Sequence, residues 1–237
     1  MKVLYGIFFI IFFQSHIFAD EIITIAVREN FSLTRLYVQV LTEAYRRIGQ
    51  PVEFISIPGG SSLKYSNNGY LGVDGEAGRL SGVLKQNKNL RPVPVAIYNS
   101  ELTVFTNKKD LKISGWEDLK QYQVTTRIGY KLVRNKLAGE NLRVVENSSM
   151  ALMLVEKQRS DVAILSKVDG IAVINKLQLK NIIMLDTPVQ TSPVFHLINK
   201  DKQYLIPRLE KALEDMRQKG VLQEMAGRFE SEFIKVD

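Results

Sequence analysis

The spacing of apolar residues in the first quarter of the chain predicts three successive elements. Residues 22–27 (IITIAV) are mostly apolar and rich in β-branched side chains, which predicts a strand buried on both faces. From 33 to 48 the apolar positions recur at helical steps, and Gly49 and Pro51 follow as helix-ending residues. Residues 52–57 (VEFISI) predict a second strand. A strand–helix–strand order is typical of an α/β protein with a mainly parallel sheet flanked by helices.

Alternating strands and helices are predicted along the rest of the chain. Further strands are predicted at 70–73, 93–97, 102–106, 123–128, 142–145, 162–165, 182–185 and 193–198. Further helices are predicted at 130–137, 148–158, 168–177, 204–219 and 221–233. The last strand and its two helices cannot bury their apolar faces alone, so we expect them to return to the first unit. The predicted organisation is one lobe from 20–99 and 190–237 and a second from 100–189, joined by crossings near 98–100 and 187–192.

The first nineteen residues differ in composition from everything that follows. Lys2 precedes an apolar run of eleven residues, 3–13, and Ala19 fits a small-residue cleavage site. This pattern predicts a signal peptide over 1–19 and export of residues 20–237 to the periplasm. The alternative is an uncleaved membrane anchor, for which the apolar run is short of the roughly 20 residues that a span needs.

Composition excludes several classes of site. The chain contains no cysteine, which excludes disulfides, thiolate metal sites, a thiol nucleophile and a lipid anchor on an N-terminal cysteine. The formal net charge is +7, and loss of Lys2 with the signal peptide would leave +6. Lysine and arginine are scattered in runs no longer than two, a pattern that does not favour nucleic-acid binding. We expect no metal and no cofactor.

The stretch 72–80 (GVDGEAGRL) places three charged residues among small ones. Small side chains would let a ligand approach the backbone, and Arg79 could bind a carboxylate or phosphate through two parallel hydrogen bonds. Glu76, Gly78 and Arg79 are therefore candidate ligand contacts. The alternative is a solvated turn in which Asp74 or Glu76 forms a surface ion pair with Arg79, worth about 0–1 kcal/mol.

Several segments in collinear order carry a resemblance to a known family. They are RRIGQPVEF, VDGEAGRL, WEDLKQYQVTTRIGY, RSDVAIL and LEKALEDMRQKGVLQEMAGRF, after a leader. Together they resemble the bacterial extracellular solute-binding proteins of family 3, over nearly all of 20–237. The resemblance implies the type II periplasmic binding protein fold, in which two lobes close over a small molecule and a monomer delivers it to a membrane permease. The ligand would lie at the carboxyl ends of the strands.

The resemblance also implies ligand contacts outside the 72–80 stretch. Arg127, Tyr130 and Lys131 flank the strand-to-helix turn at which the family offers backbone N–H groups to the acid of its ligand. For Lys131 the alternative is an ordinary exposed lysine. The remaining candidates are Phe31 as an aromatic wall, with core packing as its alternative, Tyr98 at the first crossing, and Ser166 after the DVAIL strand.

Two departures from the family pattern bear on the ligand. Amino-acid binders carry an arginine some residues after the 72–80 stretch for the α-carboxylate, but residues 80–88 contain none. They often carry an aspartate for the α-ammonium where this chain has Ser166, although Asp169 is near. An ordinary α-amino acid is therefore not indicated, and we expect a small anionic or zwitterionic solute.

Catalysis has little support in the sequence. His196, the one histidine after the leader, lies in the apolar run VFHLI and is interpreted as an interior residue, and no G-x-S-x-G, P-loop or HExxH motif is present. The expected function is solute binding, not catalysis. Two alternatives remain: a ligand-sensing exported protein that acts through a membrane receptor, and a periplasmic dehydratase-like enzyme with Glu76 as base and Arg79 as anion clamp.

Overall fold

The fold is known from a computed structural model that describes residues 21–29, 32–58, 61–139 and 141–234. The predicted signal peptide, 1–19, and the candidate contact Phe31 lie outside the described residues. Within these ranges, no helix is both long enough and apolar enough to cross a bilayer.

The described elements alternate between strands and helices, as the apolar pattern predicts. The strands are β1 Ile23–Arg28, β2 Val52–Ile57, β3 Gly75–Leu80, β4 Leu90–Thr106, β5 Val124–Arg127, β6 Leu142–Val145, β7 Val162–Ser166, β8 Ile183–Met184 and β9 Gln190–Asn199. The α-helices are α1 Thr34–Arg47, α2 Ser62–Asn68, α3 Lys131–Lys136, α4 Ser148–Glu156, α5 Lys167–Leu177, α6 Ile206–Gln218 and α7 Val221–Ile234.

The described strands form one sheet with two parallel ends and an antiparallel centre. Their order is β2-β1-β3-β9-β4-β7-β5-β6, with β8 paired to β4. Strand β1 pairs in parallel with β2 and β3, and β5 pairs in parallel with β6 and β7. Helices flank both ends, which gives the two-lobe α/β architecture of type II periplasmic binding proteins. We call β1–β3 with α1, α2, α6 and α7 lobe 1, and β5–β8 with α3–α5 lobe 2.

Two long central strands, β4 and β9, connect the lobes. They pair antiparallel, with Asn99 opposite Pro193 and Ser100 opposite Ser192. The prediction of separate extended runs at 93–97 and 102–106 is wrong, because the polar residues between those runs still join the ladder. Residues 98–100, predicted as the first crossing, therefore pair with residues 192–194 of β9 in a hydrogen-bonded ribbon.

The 72–80 stretch is itself a strand, and the prediction of a strand at 70–73 is wrong. Residues 70–72 form a 3-10 turn in which Leu71 and Gly72 have φ of 56° and 71°. Strand β3 lacks apolar alternation because its neighbours come very close. A Cβ atom at Gly75 would lie 2.5 Å from the Leu197 carbonyl oxygen on β9. The small residues that suggested room for a ligand are thus partly a requirement of sheet packing.

Each lobe has its own apolar core. In lobe 1 the helical stripe of α1, including Leu36, Val40 and Leu41, is fully buried against the sheet together with Leu209 and Leu213 of α6. In lobe 2 every residue of β7 is buried, as expected for a strand covered on both faces. These cores fix the positions of the strand ends that face the other lobe.

Candidate functional site

Three parallel strands carry an arginine at their carboxyl ends. Arg28 is the last residue of β1, Arg79 the penultimate residue of β3, and Arg127 the last residue of β5. In an open α/β sheet the carboxyl ends of parallel strands gather the loops that bind ligands. Burial, and then the charges of Arg79 and Arg127, lower the pKa of Arg28 to about 10.

Glu76 and Arg79 form a buried ion pair. Arg79 Nε lies 2.9 Å from Glu76 Oε1, and the two side chains are 13% and 1% exposed. In a regular strand residues three apart point to opposite faces, so the register shift between Glu76 and Arg79 is what brings them together. The solvated surface ion pair considered from the sequence does not describe this geometry.

Two serines of α2 complete the environment of this ion pair. Ser62 Oγ donates to Glu76 Oε1 at 3.4 Å, Ser66 Oγ donates to Oε2 at 3.3 Å, and Arg79 Nη2 donates to Ser62 Oγ at 2.6 Å. Burial raises the pKa of Glu76, although the Arg79 charge and both serine hydroxyls oppose the rise. Glu76 is thus a buried group that orients Arg79.

The N–H group at Arg79 Nε is buried and makes no aligned hydrogen bond within the described part of the chain, although Nε lies 2.9 Å from Glu76 Oε1. Charge, and not a directed hydrogen bond, therefore holds this end of the ion pair.

Gly78 and Tyr37 form a tightly packed wall beside the arginines. A Cβ atom at Gly78 would lie 2.6 Å from the Tyr37 ring, well inside contact distance. Tyr37 is buried, and its pKa is raised by burial against the opposing charges of Arg28 and Arg79. The absence of a side chain at Gly78 therefore makes room for the tyrosine ring of α1.

Asp169, in the first turn of α5, is the centre of the lobe 2 side. Its Oδ2 accepts hydrogen bonds from Arg127 Nη2 at 3.0 Å and from the Tyr130 hydroxyl at 2.8 Å. The Arg127 guanidinium also stacks over the Tyr130 ring, 4.7 Å from its centroid. The other oxygen, Oδ1, accepts from Ser32 Oγ at 2.6 Å. Because Ser32 precedes α1, this hydrogen bond joins the two lobes.

Ser166 positions its neighbours. Its Oγ accepts from the Asp169 backbone N–H at 3.2 Å and caps α5, and its own N–H donates to the Tyr130 hydroxyl at 3.0 Å. Ser166 thus helps to hold Asp169 and Tyr130 in place.

The other predicted contacts lie apart from this centre. The Tyr98 hydroxyl donates to Glu230 Oε1 of α7 at 2.9 Å, while its ring lies 6.4 Å from that of Tyr37. Lys131 is exposed at the start of α3. The structure therefore brings Glu76, Arg79, Arg127, Tyr130 and Ser166 together and leaves Tyr98 and Lys131 outside.

Sequence reasoning missed Arg28 and Tyr37, and it assigned no contact to Ser32 or Asp169. Arg28 had a usable signal, since it is a charged residue that directly follows a predicted buried strand. Tyr37 had none, because it belongs to the apolar stripe of α1, and Ser32 and Asp169 needed the fold to meet. We call the following set the cleft cluster: Arg28, Ser32, Tyr37, Glu76, Arg79, Arg127, Tyr130 and Asp169.

His196 is an interior residue, as predicted. It is fully buried, with Nδ1 2.9 Å from the Glu76 carbonyl oxygen and Nε2 3.0 Å from the Tyr45 hydroxyl. Burial lowers its pKa to about 4. Among the described residues, no group of three or more histidines, aspartates or glutamates is arranged to hold a metal ion.

Solved structures share this fold at low sequence identity. The extracellular-binding protein ytmK of Bacillus subtilis, of a probable amino-acid ABC transporter, matches with TM-score 0.71 and 20% identity over 89% of this chain and 98% of its own. The GluR0 ligand-binding core in complex with L-glutamate matches with TM-score 0.72 and 12% identity, covering 89% and 99%. A histidine kinase sensor domain similar to periplasmic binding proteins gives TM-score 0.68 and 16% identity, covering 89% and 96%.

Comparison by sequence finds no match. No family model matches the chain, and no curated protein matches it. These three structural matches, at 12% to 20% identity, establish the type II periplasmic binding fold.

Proposed function

We propose that the chain is an exported solute-binding protein that captures a small anionic or zwitterionic molecule between its two lobes. The observation that carries this proposal is the cleft cluster, in which charged groups from both lobes meet at strand carboxyl ends and Ser32 contacts Asp169 across the cleft. A fold that closes on a ligand needs binding groups on both sides of the gap.

The roles within the site follow from the contacts. Arg79 and Arg127 would bind the acidic group of the ligand, since guanidinium groups match carboxylates bidentately. Glu76 would hold Arg79 in position, and Tyr130 would form an aromatic wall. Ligand contact by Gly78, Ser166, Tyr98, Lys131 and Phe31 stays a prediction; for Gly78 and Ser166 the packing and capping contacts offer a structural role.

The proposed cellular role follows from the fold. We propose location in the periplasm after removal of residues 1–19, action as a monomer, and delivery to a membrane permease, in line with the Bacillus subtilis transporter protein that shares the fold. The lobe boundaries 20–99 with 190–237 and 100–189 stay a prediction, supported by the pairing of β4 with β9 at residues 99 and 193.

Sensing is the second candidate. Its support is the histidine kinase sensor domain, which has this fold over nearly all of both chains. In that case the closed protein would bind a membrane receptor in place of a permease. The dehydratase-like alternative is disfavoured, because the Glu76 carboxyl is 1% exposed and enclosed by Ser62, Ser66 and Arg79.

A thermal-shift screen tests the binding role. The protein is heated with amino acids, organic acids, polyamines, sugars and phosphate esters, and a compound at 100 times its Kd should add about 2.7 kcal/mol of stability. We expect Arg79→Ala to abolish the shift and Arg134→Ala, the same change at an exposed position of α3, to preserve it. A shift that survives in Arg79→Ala would contradict the assigned site, and the lack of any shift would count against solute binding.

A further inference from the structure

The first turn of α5 belongs to lobe 2, yet three consecutive side chains of this turn contact lobe 1. Lys167 Nζ lies 2.8 Å from the Glu230 carboxylate of α7. Val168 is buried and packs in the apolar core of lobe 1. Asp169 Oδ1 accepts from Ser32 Oγ at 2.6 Å. An ion pair, an apolar contact and a hydrogen bond therefore join this one turn to the other lobe.

The same helix is fixed to lobe 2 from its fourth residue onward. A Cβ atom at Gly170 would lie 2.0 Å from the Phe105 ring, so only a glycine fits beneath that ring. Phe105 is fully buried in a core cluster of lobe 2, and Val173 and Ile174 pack against the same cluster. The contacts of α5 thus change from one lobe to the other within its first turn.

Helical geometry places the apolar contact between the two polar ones. Successive residues of an α-helix are rotated by about 100°, so Lys167 and Asp169 lie on the two sides of Val168. Lys167 faces α7, and Asp169 faces Ser32 in the cleft. A rotation of lobe 2 about the buried valine would therefore open one side of the turn and leave the other side in contact.

On the cleft side, Asp169 can lose its hydrogen bond with Ser32 and remain paired. Its Oδ2 accepts from Arg127 at 3.0 Å and from Tyr130 at 2.8 Å, and both of these residues belong to lobe 2. The carboxylate would carry these two partners with it when the lobes separate. Opening on this side therefore leaves no charge unpaired.

On the α7 side, separation would disrupt more. Lys167 and Glu230 are both partly buried, and Glu230 also accepts from the Tyr98 hydroxyl at 2.9 Å. Glu101, 3.7 Å from Lys167, would remain near the ammonium group. Glu230, however, would lose its cation, and Val168 would become exposed to water. The loss of an ion pair together with apolar burial opposes movement on this side.

We propose that the first turn of α5 is the pivot of lobe movement, and that Lys167 is a positioning residue that holds Asp169 within reach of its partners in both lobes. Opening begins at the hydrogen bond from Ser32 to Asp169, while Lys167 and Val168 stay in place against lobe 1. This inference rests on the proposed solute-binding function and adds to it the point about which the lobes turn.

Two pairs of spin labels measure lobe movement in the protein alone. The chain contains no cysteine, so labels attach only where cysteines are introduced. A pivot pair joins α7 to α5 through Gln223→Cys and Lys176→Cys, and a cleft pair joins lobe 1 to lobe 2 through Ser81→Cys and Asn135→Cys, all at exposed positions. Double electron–electron resonance then gives the distance distribution of each pair.

Ser32→Ala in both labelled backgrounds tests the pivot. We expect the cleft pair to lengthen by more than the width of its wild-type distribution and the pivot pair to keep its wild-type distance. A pivot pair that lengthens as well would show that α5 leaves α7 on opening. An unchanged cleft pair would show that opening does not begin at this hydrogen bond. Either result overturns the inference.

Lys167→Met tests the positioning role. Loss of the ion pair should broaden both distance distributions and speed hydrogen exchange at the amides of Ser166 and Asp169, whose hydrogen bonds order the start of α5. Lys167→Arg keeps the charge and should restore the wild-type values. Lys219→Met, which removes an exposed ion pair of α6, should leave them unchanged. The Ile164 amide, in the buried strand β7, reports any global loss of stability.

Two results would overturn the positioning role. One is wild-type distances and exchange rates in Lys167→Met, and the other is equal acceleration of exchange at Ile164, which would reduce the effect to general stability. Failure of the underlying function has a different signature, because both measurements use the protein alone. If no compound of the thermal-shift screen stabilises the protein, solute binding is rejected even where the label distances support a pivot.

Discussion

Two polar clusters join the lobes, and they differ in the sign of their excess charge. The cleft cluster has more guanidinium groups than carboxylates. The second cluster, which we call the hinge cluster, consists of Tyr98, Glu101, Lys167 and Glu230. There the Lys167 ammonium lies 2.8 Å from Glu230 and 3.7 Å from Glu101, so one cation faces two carboxylates.

The difference indicates what each cluster does when the lobes move. The hinge cluster lies beside β4 and α7, and its side chains are partnered within the cluster: Glu230 accepts from Tyr98 at 2.9 Å and pairs with Lys167. In the cleft cluster, the hydrogen bond from Ser32 to Asp169 connects the two sides. We expect opening to break the cleft contact and preserve the hinge contacts.

The largest effect is expected on the pH dependence of folding stability, through the buried side chain of His196. His196 holds the Glu76 carbonyl and titrates with a pKa lowered to about 4 by burial, against 6.5 for the free side chain. The unfolded chain therefore binds the proton first as pH falls, and the stability that His196 provides, present above pH 6.5, is lost toward pH 4. The loss is about 3 kcal/mol.

Urea denaturation between pH 7 and 4 measures this loss. His196→Gln should flatten the pH dependence, while Lys167→Met in the hinge cluster should leave its slope unchanged. A wild-type slope equal to that of His196→Gln would show that the buried histidine does not control acid stability.

The next largest effect is expected when the carboxylate at the centre of each cluster, Asp169 or Glu230, is replaced by its amide. Asp169→Asn leaves Arg127 without its counter-ion in a largely buried place, and we expect a loss of about 2 kcal/mol of unfolding free energy. Glu230→Gln should cost less than about 1 kcal/mol, because Lys167 retains Glu101 nearby. Chemical denaturation of both variants checks the order, and equal losses would remove the distinction between the clusters.

Gly78→Ala tests the wall of the cleft. The added methyl group would meet the Tyr37 ring at 2.6 Å, so strand and helix must separate, at a cost of about 1–2 kcal/mol. Gly82→Ala is the matched control, since a Cβ atom there has no neighbour within 4 Å. Melting temperatures of both variants measure the effect. Equal stability of the two would mean that Tyr37 moves away freely.

A small effect is also expected for Ser32→Ala, which removes the hydrogen bond between the two sides of the cleft cluster. A loss of about 1 kcal/mol would shift the balance between closed and open forms roughly fivefold toward open. Small-angle X-ray scattering should detect a larger radius of gyration than for the wild type or Ser81→Ala, an exposed control. An unchanged radius of gyration would show that the hydrogen bond from Ser32 to Asp169 does not hold the lobes closed.

The sequence by itself determined the alternation of elements. Helical spacing in α1 and the continuous apolar runs of β1 and β7 are set by local burial, and local burial is what periodicity reports. Two candidate arginines were also accessible: Arg79 stood out as a charge among small residues, and Arg127 followed from the family resemblance. Arg28, a charged residue that directly follows a predicted buried strand, was within reach as well.

Tertiary structure decided which residues contact each other across the chain. Strand β3 has no apolar alternation, because close approach of β9 and Tyr37 demands small residues, so its place could not be found from periodicity. The register shift that places Glu76 beside Arg79 depends on pairing with β9, more than a hundred residues away in the chain. Ser32 and Asp169 meet across 137 positions. Contacts of this kind are set by how the lobes fold against each other, which no local pattern of residues encodes.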